Sequence, residues 1–202
     1  MSGFLPPLPR PLVLGSTSRY RRELLQRLGL PFEVVAPEVD ETPRSGEAPA
    51  QLARRLALDK ARAVSERWPE AVVIGSDQVA DLHGEALGKP GSHERAVMQL
   101  QHMSGQIVVF QTALSVVCRA TGFEQSDLAK VSVRFRELTP QVIETYLRIE
   151  QPYDCAGSAK NEALGIALLS SIQSDDPTAL TGLPLIALVS MLRRAGVTFF
   201  QG

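Results

Sequence analysis

An apolar segment with one carboxylate in its middle constrains the fold of this chain more than any other feature. Residues 71–82, AVVIGSDQVADL, are rich in the β-branched side chains of a buried strand, yet Asp77 stands among them. A buried carboxylate is unfavourable unless a cation or hydrogen-bond donors compensate its charge. The segment therefore predicts a buried strand and, close to Asp77, a partner that stabilises the acid.

Strand and helix patterns alternate along the chain. Apolar and β-branched segments predict strands at 11–15, 32–36, 71–82, 107–117 and 129–136. Start and stop signals predict helices at 19–28, 51–67, 92–103, 139–149 and 182–196. The remaining segments predict a turn and return at 82–90, a turn at 119–127, and a mixed region with short strands at 153–170. The pattern predicts an α/β fold with a mixed, twisted sheet flanked by helices, in a single domain spanning 1–202.

Composition argues against several classes of function. The chain has 202 residues and a formal net charge of −1, whereas general nucleic-acid binding usually requires a strongly basic domain. No run of about 18 apolar residues occurs, so no membrane span is predicted. The first residues, MSGFLPPLPR, lack the pattern of a secretory signal and predict an extended lead-in. We therefore expect a cytoplasmic protein with no nucleic-acid or membrane partner.

Cysteine and histidine predict no metal site. Cys118 and Cys155 are far apart in the sequence, and we expect reduced packing residues in preference to a disulfide. The three histidines, His83, His93 and His102, lack metal-ligand spacing with each other or with a cysteine. A zinc centre is therefore not expected.

Lys60 is the first candidate partner for Asp77. On the helix predicted at 51–67, it lies in the middle of the apolar face that includes Leu56 and Val64. One interpretation is a lysine whose stem covers the core while its ammonium reaches water. The other is a partly desolvated cation in a cleft, where it attracts an anion strongly. Helical spacing leaves both interpretations open.

The turn after the first predicted strand is a candidate anion site. Residues 15–25, GSTSRYRRELL, join a strand to a helix that begins with three arginines. Free amide groups, hydroxyls and the helix dipole at such a start favour a negative ligand. Ordinary helix capping explains the serines and the threonine equally well, and the Walker A pattern is absent.

Two further segments carry charged candidates. Glu38, Asp40 and Glu41 follow the second predicted strand, where carboxylates can bind a hard divalent cation together with substrate oxygens. A solvated acidic loop is the alternative interpretation. Lys89 lies in the turn GKP at 88–90, a position where most lysines simply face solvent.

Taken together and in this order, these segments resemble the Maf family of nucleotide pyrophosphatases. The resemblance runs from about Pro11 to Gly196, and its motifs are the first-turn serines and arginines, VDE at 39–41, KA at 60–61, GSD at 75–77 and GKP at 88–90. It implies a Maf/ITPase-like fold with two lobes around a central cleft. It also implies an enzyme that hydrolyses a nucleoside triphosphate to the monophosphate and diphosphate.

Within the family, the chain resembles the YceF-like branch, whose members hydrolyse N7-methyl-GTP. The branch features are Tyr20, Gln78, Glu162, CAGSAKNEALGI at 155–166 and GLPL at 182–185. In pyrimidine-cleaving members the first three positions are typically Arg, Thr and Gln. The resemblance implies that Tyr20, Gln78 and Glu162 select the base. The alternative is that Tyr20 merely covers the first helix and that Glu162 is a surface residue.

The resemblance also implies catalytic and binding roles. Asp77 is the general base or metal-bound carboxylate that activates water, and Glu41 and Asp77 hold Mg²⁺ or Mn²⁺. The triphosphate is bound by Ser16, Arg21, Lys60 and Lys89. Such a metal ion neutralises phosphate charge and lowers the pKa of its bound water. On this interpretation the metal and its water explain the buried acid, and Lys60 faces the substrate.

One departure and three alternatives accompany the resemblance. The family usually has Ser-Pro where this chain has Ser18-Arg19, which frees the turn and adds a cation near the phosphates. The alternatives are the same reaction on dTTP, UTP or another modified nucleotide, a nucleotide-binding regulator of cell division, and a protein-interaction module. A regulator needs no base aimed at water, and an interaction module leaves Lys60 and Asp77 unexplained. The expected partner is a small-molecule nucleoside triphosphate, with a homodimer left open.

Overall fold

One mixed sheet forms the centre of the computed structural model, which describes residues 7–200. Its strands are β1 (Leu12–Gly15), β2 (Glu33–Val34), β3 (Val72–Leu82), β4 (Glu85–Leu87), β5 (Ile107–Cys118), β6 (Phe123–Phe135) and β7 (Leu169–Gln173). Their order is β2-β1-β3-β5-β6-β7, with β4 paired to β3. β1 is parallel to β2 and β3, whereas the pairings of β3 with β4 and β5, of β5 with β6 and of β6 with β7 are antiparallel. The predicted mixed α/β fold is confirmed.

The helices of the described residues pack on this sheet. They are α1 (Arg19–Gln26), α2 (Pro49–Arg67), α3 (His93–Met103), α4 (Pro140–Glu150) and α5 (Leu185–Arg194). The side chains of Ser18, Ser92 and Thr139 each accept a first-turn backbone N–H, so they cap α1, α3 and α4. Between residues 7 and 200, every helix is too short or too polar to cross a lipid bilayer. Residues 1–6 and 201–202 lie outside the described residues. They contain part of the predicted lead-in and both ends of the predicted single domain.

Two large apolar clusters occupy different halves of the long strands. One joins Val72 and Ile74 of β3 to apolar side chains of α1 and α5. The other joins Ala80 and Leu82 of β3 to side chains of α3 and α4. The middle of β3, which includes Asp77, therefore lies between two cores, as the predicted pair of lobes requires.

β3 changes its neighbour halfway along its length. Residues 72–75 pair with β1 and residues 80–82 pair with β4, while β5 runs along the other edge. Among the described strands, none pairs with residues 76–79 on the β1 and β4 side. The carboxyl ends of β1 and β4 both border this gap. Open α/β sheets commonly bind ligands at a point where a strand changes its neighbour in this way.

Gly75 allows α2 to lie directly against β3. A Cβ at this position would collide with the carbonyl oxygen of Ala57 and lie 2.7 Å from the amide nitrogen of Ala61. Both are backbone atoms of a helix and cannot rotate away. This close approach places Lys60 of α2 beside Asp77 of β3.

We expect Gly75→Ala to destabilise the protein by about 2–3 kcal/mol, because the added methyl group must push α2 away from β3. The free energy of unfolding in urea measures the effect. Gly88→Ala is the matched control, since a Cβ there meets nothing within 4 Å. We expect the control to change stability by less than about 0.5 kcal/mol. Wild-type stability for Gly75→Ala would contradict the proposed contact.

Three predicted segments differ clearly from the structure, while the helix boundaries shift by three residues or fewer. β2 covers only Glu33–Val34, not 32–36. The turn predicted at 119–127 is shorter, because β6 begins at Phe123 and its polar first residues pair with β5, Glu124 opposite Val117. Residues 153–168 contain short 3-10 turns where short strands were predicted, and β7 begins only at Leu169.

Candidate active site

The gap beside β3 opens into a cleft of about 1000 Å³. Every side chain predicted to act in catalysis, binding or metal coordination lines it: Ser16, Tyr20, Arg21, Glu41, Lys60, Asp77, Gln78, Lys89 and Glu162. These residues come from distant parts of the chain, and the change of neighbour along β3 brings them together. Glu38 and Asp40, the other acids of the predicted cluster, are exposed and lie outside the cleft lining.

Lys60 is the direct partner of Asp77. Its Nζ lies 2.7 Å from Oδ1 of Asp77 and 2.8 Å from Oε1 of Glu41. Lys60 and Asp77 are only 5% and 8% exposed, so each depends on the opposite charge for compensation. The predicted candidate partner is therefore confirmed, and the buried acid is compensated by Lys60 whether or not a metal ion binds beside it. Lys60 compensates Asp77 and lines the cleft at the same time.

Glu41 reaches this pair from the loop that follows β2. Burial alone would raise the pKa of Glu41, but the hydrogen bond and charge of Lys60, with the charges of Lys89 and Arg21, outweigh burial and lower that pKa. Glu41 is therefore ionised at neutral pH. The cluster consists of two carboxylates that share one ammonium group.

Arg55 of α2 anchors the loop that carries Glu41. Its guanidinium donates to both carboxylate oxygens of Glu47, at 2.6 and 2.8 Å, and to the carbonyl oxygen of Thr42 at 3.1 Å. Paired donation of this kind fixes geometry as well as charge. No signal in the sequence identifies Arg55, because no local spacing rule connects it to Glu47 across the start of a helix.

Arg21 is held in place at the first turn. Its Nε donates to the carbonyl oxygen of Gly182 at 2.9 Å, and one terminal nitrogen donates to Oγ of Ser16 at 3.3 Å. Burial lowers the pKa of Arg21, against the opposing charges of Asp77 and Glu41, but a guanidinium in a protein stays protonated. A fixed and partly desolvated cation therefore faces the two carboxylates.

Gln78 connects β3 to the segment before α5. Its Nε2 lies 2.8 Å from Oγ1 of Thr112 and 3.0 Å from the carbonyl oxygens of both Ala179 and Leu180. Successive side chains of a strand project to opposite faces, so Gln78 is held on the face opposite Asp77. The structure thus places Gln78 as a support of the cleft wall formed by residues 180–182.

Tyr20 lies near acidic groups on another wall of the cleft. Burial raises the pKa of its phenol, and the charges of Glu162 and Asp154 raise it further. Tyr20 is therefore neutral at pH 7, and it lines the same cleft as Glu162. Glu162 and Lys89 are both exposed side chains of the cleft lining.

Arg19, at the position where a proline was expected, begins α1 without disturbing its cap. Oγ of Ser18 still accepts the backbone N–H of Arg21. The guanidinium of Arg19 lies 2.7 Å from Glu23, and its side chain is 81% exposed. The added cation lines the cleft but is already paired at the surface.

Glu41 and Asp77 are the candidate metal ligands. Within residues 7–200, no group of three His, Cys, Asp or Glu side chains is arranged to hold a metal ion. Two carboxylates suit Mg²⁺, which commonly takes one or two from the protein and completes its shell with water and substrate phosphates.

Cys118 and Cys155 are both free, and burial raises the pKa of Cys155 to about 12.

Known proteins share this sequence over most of its length. Residues 11–195 match the family described as Maf-like protein. The chain is 70% identical to the 7-methyl-GTP pyrophosphatase of Polaromonas sp. (strain JS666 / ATCC BAA-500), over 97% of this chain and 90% of that protein. It is 64% identical to the 7-methyl-GTP pyrophosphatase of Albidiferax ferrireducens, over 95% of this chain and 96% of that one. The protein of the same name from Cupriavidus pinatubonensis is 58% identical, over 96% of this chain and 97% of its own length.

Proposed function

The chain belongs to the Maf family, and from that premise we propose that it hydrolyses N7-methyl-GTP to N7-methyl-GMP and diphosphate. The observation that carries the proposal is the cluster of Asp77, Lys60 and Glu41 in the cleft. The names of relatives up to 70% identical support the substrate. We also propose a cytoplasmic location, because the cytoplasm is where nucleoside triphosphates are used.

Asp77 is the proposed general base. Lys60 engages its Oδ1, and Oδ2 has no hydrogen-bond donor among the described residues, so Oδ2 is free to accept a proton. The proton comes from the water that attacks the α-phosphorus. The water oxygen joins the nucleoside monophosphate as the bond to the β-phosphate oxygen breaks, and diphosphate leaves. A general base placed in this way typically contributes about 10²–10⁴-fold to the rate.

We propose that the triphosphate lies among three cations of the cleft, Arg21, Lys60 and Lys89. Ser16, beside Arg21, is a neutral donor to the same group. Arg21 is already oriented by Gly182 and Ser16, so it loses little freedom when phosphate binds. Donors fixed before the reaction stabilise developing charge better than mobile ones. Arg21 and Lys60 are therefore the strongest candidates for transition-state contacts.

Glu41 and Asp77 are proposed to hold Mg²⁺ or Mn²⁺ together with the substrate phosphates. Such an ion neutralises phosphate charge and lowers the pKa of a bound water. Glu41 contributes an ionised carboxylate, because its pKa is lowered by its cationic neighbours against the effect of burial. Arg55, through Glu47 and Thr42, keeps the loop of Glu41 at the cleft.

Tyr20 and Glu162 are proposed to recognise the base. N7-methylation gives guanine a positive charge, so an aromatic face gains about 1–2 kcal/mol of cation–π attraction when the contact is desolvated. The N1–H and N2–H donors of guanine can pair with one carboxylate, whereas an amide cannot accept both equally well. Gln78 acts indirectly in this proposal, through the cleft wall that it supports.

Turnover of the wild-type enzyme against a nucleotide panel tests the proposed substrate. We expect kcat/KM to be highest for N7-methyl-GTP, above GTP, dTTP and UTP. A preference for dTTP or UTP would keep the reaction and overturn the substrate. Nucleotide binding with no turnover in the presence of Mg²⁺ would favour a nucleotide-binding regulator instead.

We expect Tyr20→Ala and Glu162→Gln each to lower kcat/KM for N7-methyl-GTP more than about tenfold, equivalent to about 1.4 kcal/mol of transition-state stabilisation. Activity on UTP should fall less, and it should rise for Glu162→Gln. Glu66→Gln, an exposed carboxylate of α2 outside the cleft, is the matched control. Equal losses on every nucleotide would remove both residues from base recognition.

A further inference from the structure

The segment that carries Glu162 is bonded at both ends to α4. The backbone N–H of Lys160 donates to Oη of Tyr146 at 3.1 Å. The backbone N–H of Leu164 donates to Oε2 of Glu150, also at 3.1 Å. In addition, Nζ of Lys160 lies 3.4 Å from the carbonyl oxygen of Glu150. One helix therefore determines where residues 160–164 begin and end.

Between these two points the segment is a tight turn. The backbone N–H of Ala163 donates to the carbonyl oxygen of Lys160 at 3.1 Å. A Cβ on Gly165 would lie 2.5 Å from that same oxygen and 2.6 Å from the nitrogen of Lys160, so only glycine allows the chain to close here. The path of residues 160–165 is therefore narrowly defined once both ends are held.

Glu162 has no hydrogen bond of its own to any described residue, and its side chain is exposed at the cleft. Its position therefore follows from the backbone that carries it. Tyr146 is 3% exposed, and burial raises the pKa of its phenol, so its hydroxyl is neutral throughout the physiological range. Neither Tyr146 nor Glu150 lines the cleft.

We propose that Tyr146 and Glu150 are positioning residues for base selection, which hold the 160–164 turn so that Glu162 meets the edge of the bound base. The inference rests on the proposed role of Glu162. It assigns specificity to two residues that touch no substrate. Because each one holds a single backbone N–H of the turn, their removal should affect recognition of the base and leave the phosphate side unchanged.

The readout is the ratio of kcat/KM for N7-methyl-GTP to kcat/KM for UTP. Tyr146→Phe keeps the buried ring and removes the acceptor of the Lys160 N–H. We expect it to lower the ratio about fivefold, the effect of one lost hydrogen bond, while UTP turnover changes less than about twofold. Glu150→Ala should act in the same way, whereas Glu150→Gln retains an oxygen acceptor and should restore the ratio. Arg148→Ala is the control, since Arg148 pairs with Glu144 on the same helix.

A double-mutant cycle with Glu162→Gln tests whether the effect passes through Glu162. In that background Tyr146→Phe should leave the ratio unchanged. The inference is overturned if Tyr146→Phe and Glu150→Ala leave the wild-type ratio unmoved, lower both substrates equally, or act undiminished in the Glu162→Gln background. Failure of the proposed function is separate, because it appears in the wild type alone as a preference for another nucleotide. In that case the ratio compares kcat/KM for the preferred nucleotide with kcat/KM for a nucleotide of the other base class, purine or pyrimidine, and the same outcomes decide.

Discussion

Asp77→Asn is expected to lower kcat for N7-methyl-GTP at least about a hundredfold while the enzyme stays folded and binds nucleotide, because an amide cannot accept the proton of the attacking water. The substitution keeps the size of the side chain and an oxygen for Lys60. The ammonium also retains Glu41 at 2.8 Å, so no buried charge is left without a partner. Single-turnover kinetics and calorimetric binding of the nucleotide measure the two effects separately.

Asp81→Asn is the matched control for this prediction. Asp81 lies on the same strand, accepts from the backbone of Gly84 and the amide of Gln111, and does not line the cleft. We expect near wild-type turnover from it. If Asp77→Asn folds, binds nucleotide and turns over as fast as Asp81→Asn, Asp77 is not the base.

Removal of divalent metal is expected to reduce turnover to background, and Mg²⁺ or Mn²⁺ to restore it. Glu41 and Asp77 are the proposed ligands of the ion, and hard carboxylate oxygens prefer these two metals to the softer ones that cysteine and histidine bind. Because phosphate oxygens must complete the shell, we also expect the metal to bind much more weakly without nucleotide than with it. Turnover during EDTA titration measures the loss.

EDTA saturated with Mg²⁺ beforehand is the control, since it carries the same chelator and no capacity to remove metal. Full turnover after exhaustive chelation would show that the cations of the chain suffice for the reaction. Lys60, Arg21 and Lys89 would then carry the whole charge of the triphosphate.

Much of the fold followed from local patterns. Ser92 and Thr139 were predicted as helix starts and cap α3 and α4, because capping depends only on neighbouring residues. The segment 123–127 was misjudged, since Phe-Glu-Gln-Ser-Asp directly after Gly122 has the composition of a turn. Pairing with β5 overrides that tendency. The 153–168 segment was misjudged for a related reason, because the contacts that shape its turns come from α3 and α4.

The residues of the site could be predicted from the sequence, but the bonds between them could not. Family motifs identified the residues that line the cleft, including Glu162 more than eighty positions after Asp77. Lys60 was a candidate partner for Asp77, but the sequence left its bond to Asp77 open, because helical spacing places a lysine on a face without choosing its partner. Gly75 is the physical link, since only a residue without a Cβ lets α2 approach β3 so closely.

Hydrolysis of N7-methyl-GTP in ¹⁸O-water tests the central claim most directly. Attack at the α-phosphorus, with Asp77 as base, transfers the water oxygen to the nucleotide. We predict that mass spectrometry of a single turnover will find one ¹⁸O atom in N7-methyl-GMP and none in the diphosphate. Label in the diphosphate, or stepwise release of inorganic phosphate, would contradict the proposed reaction.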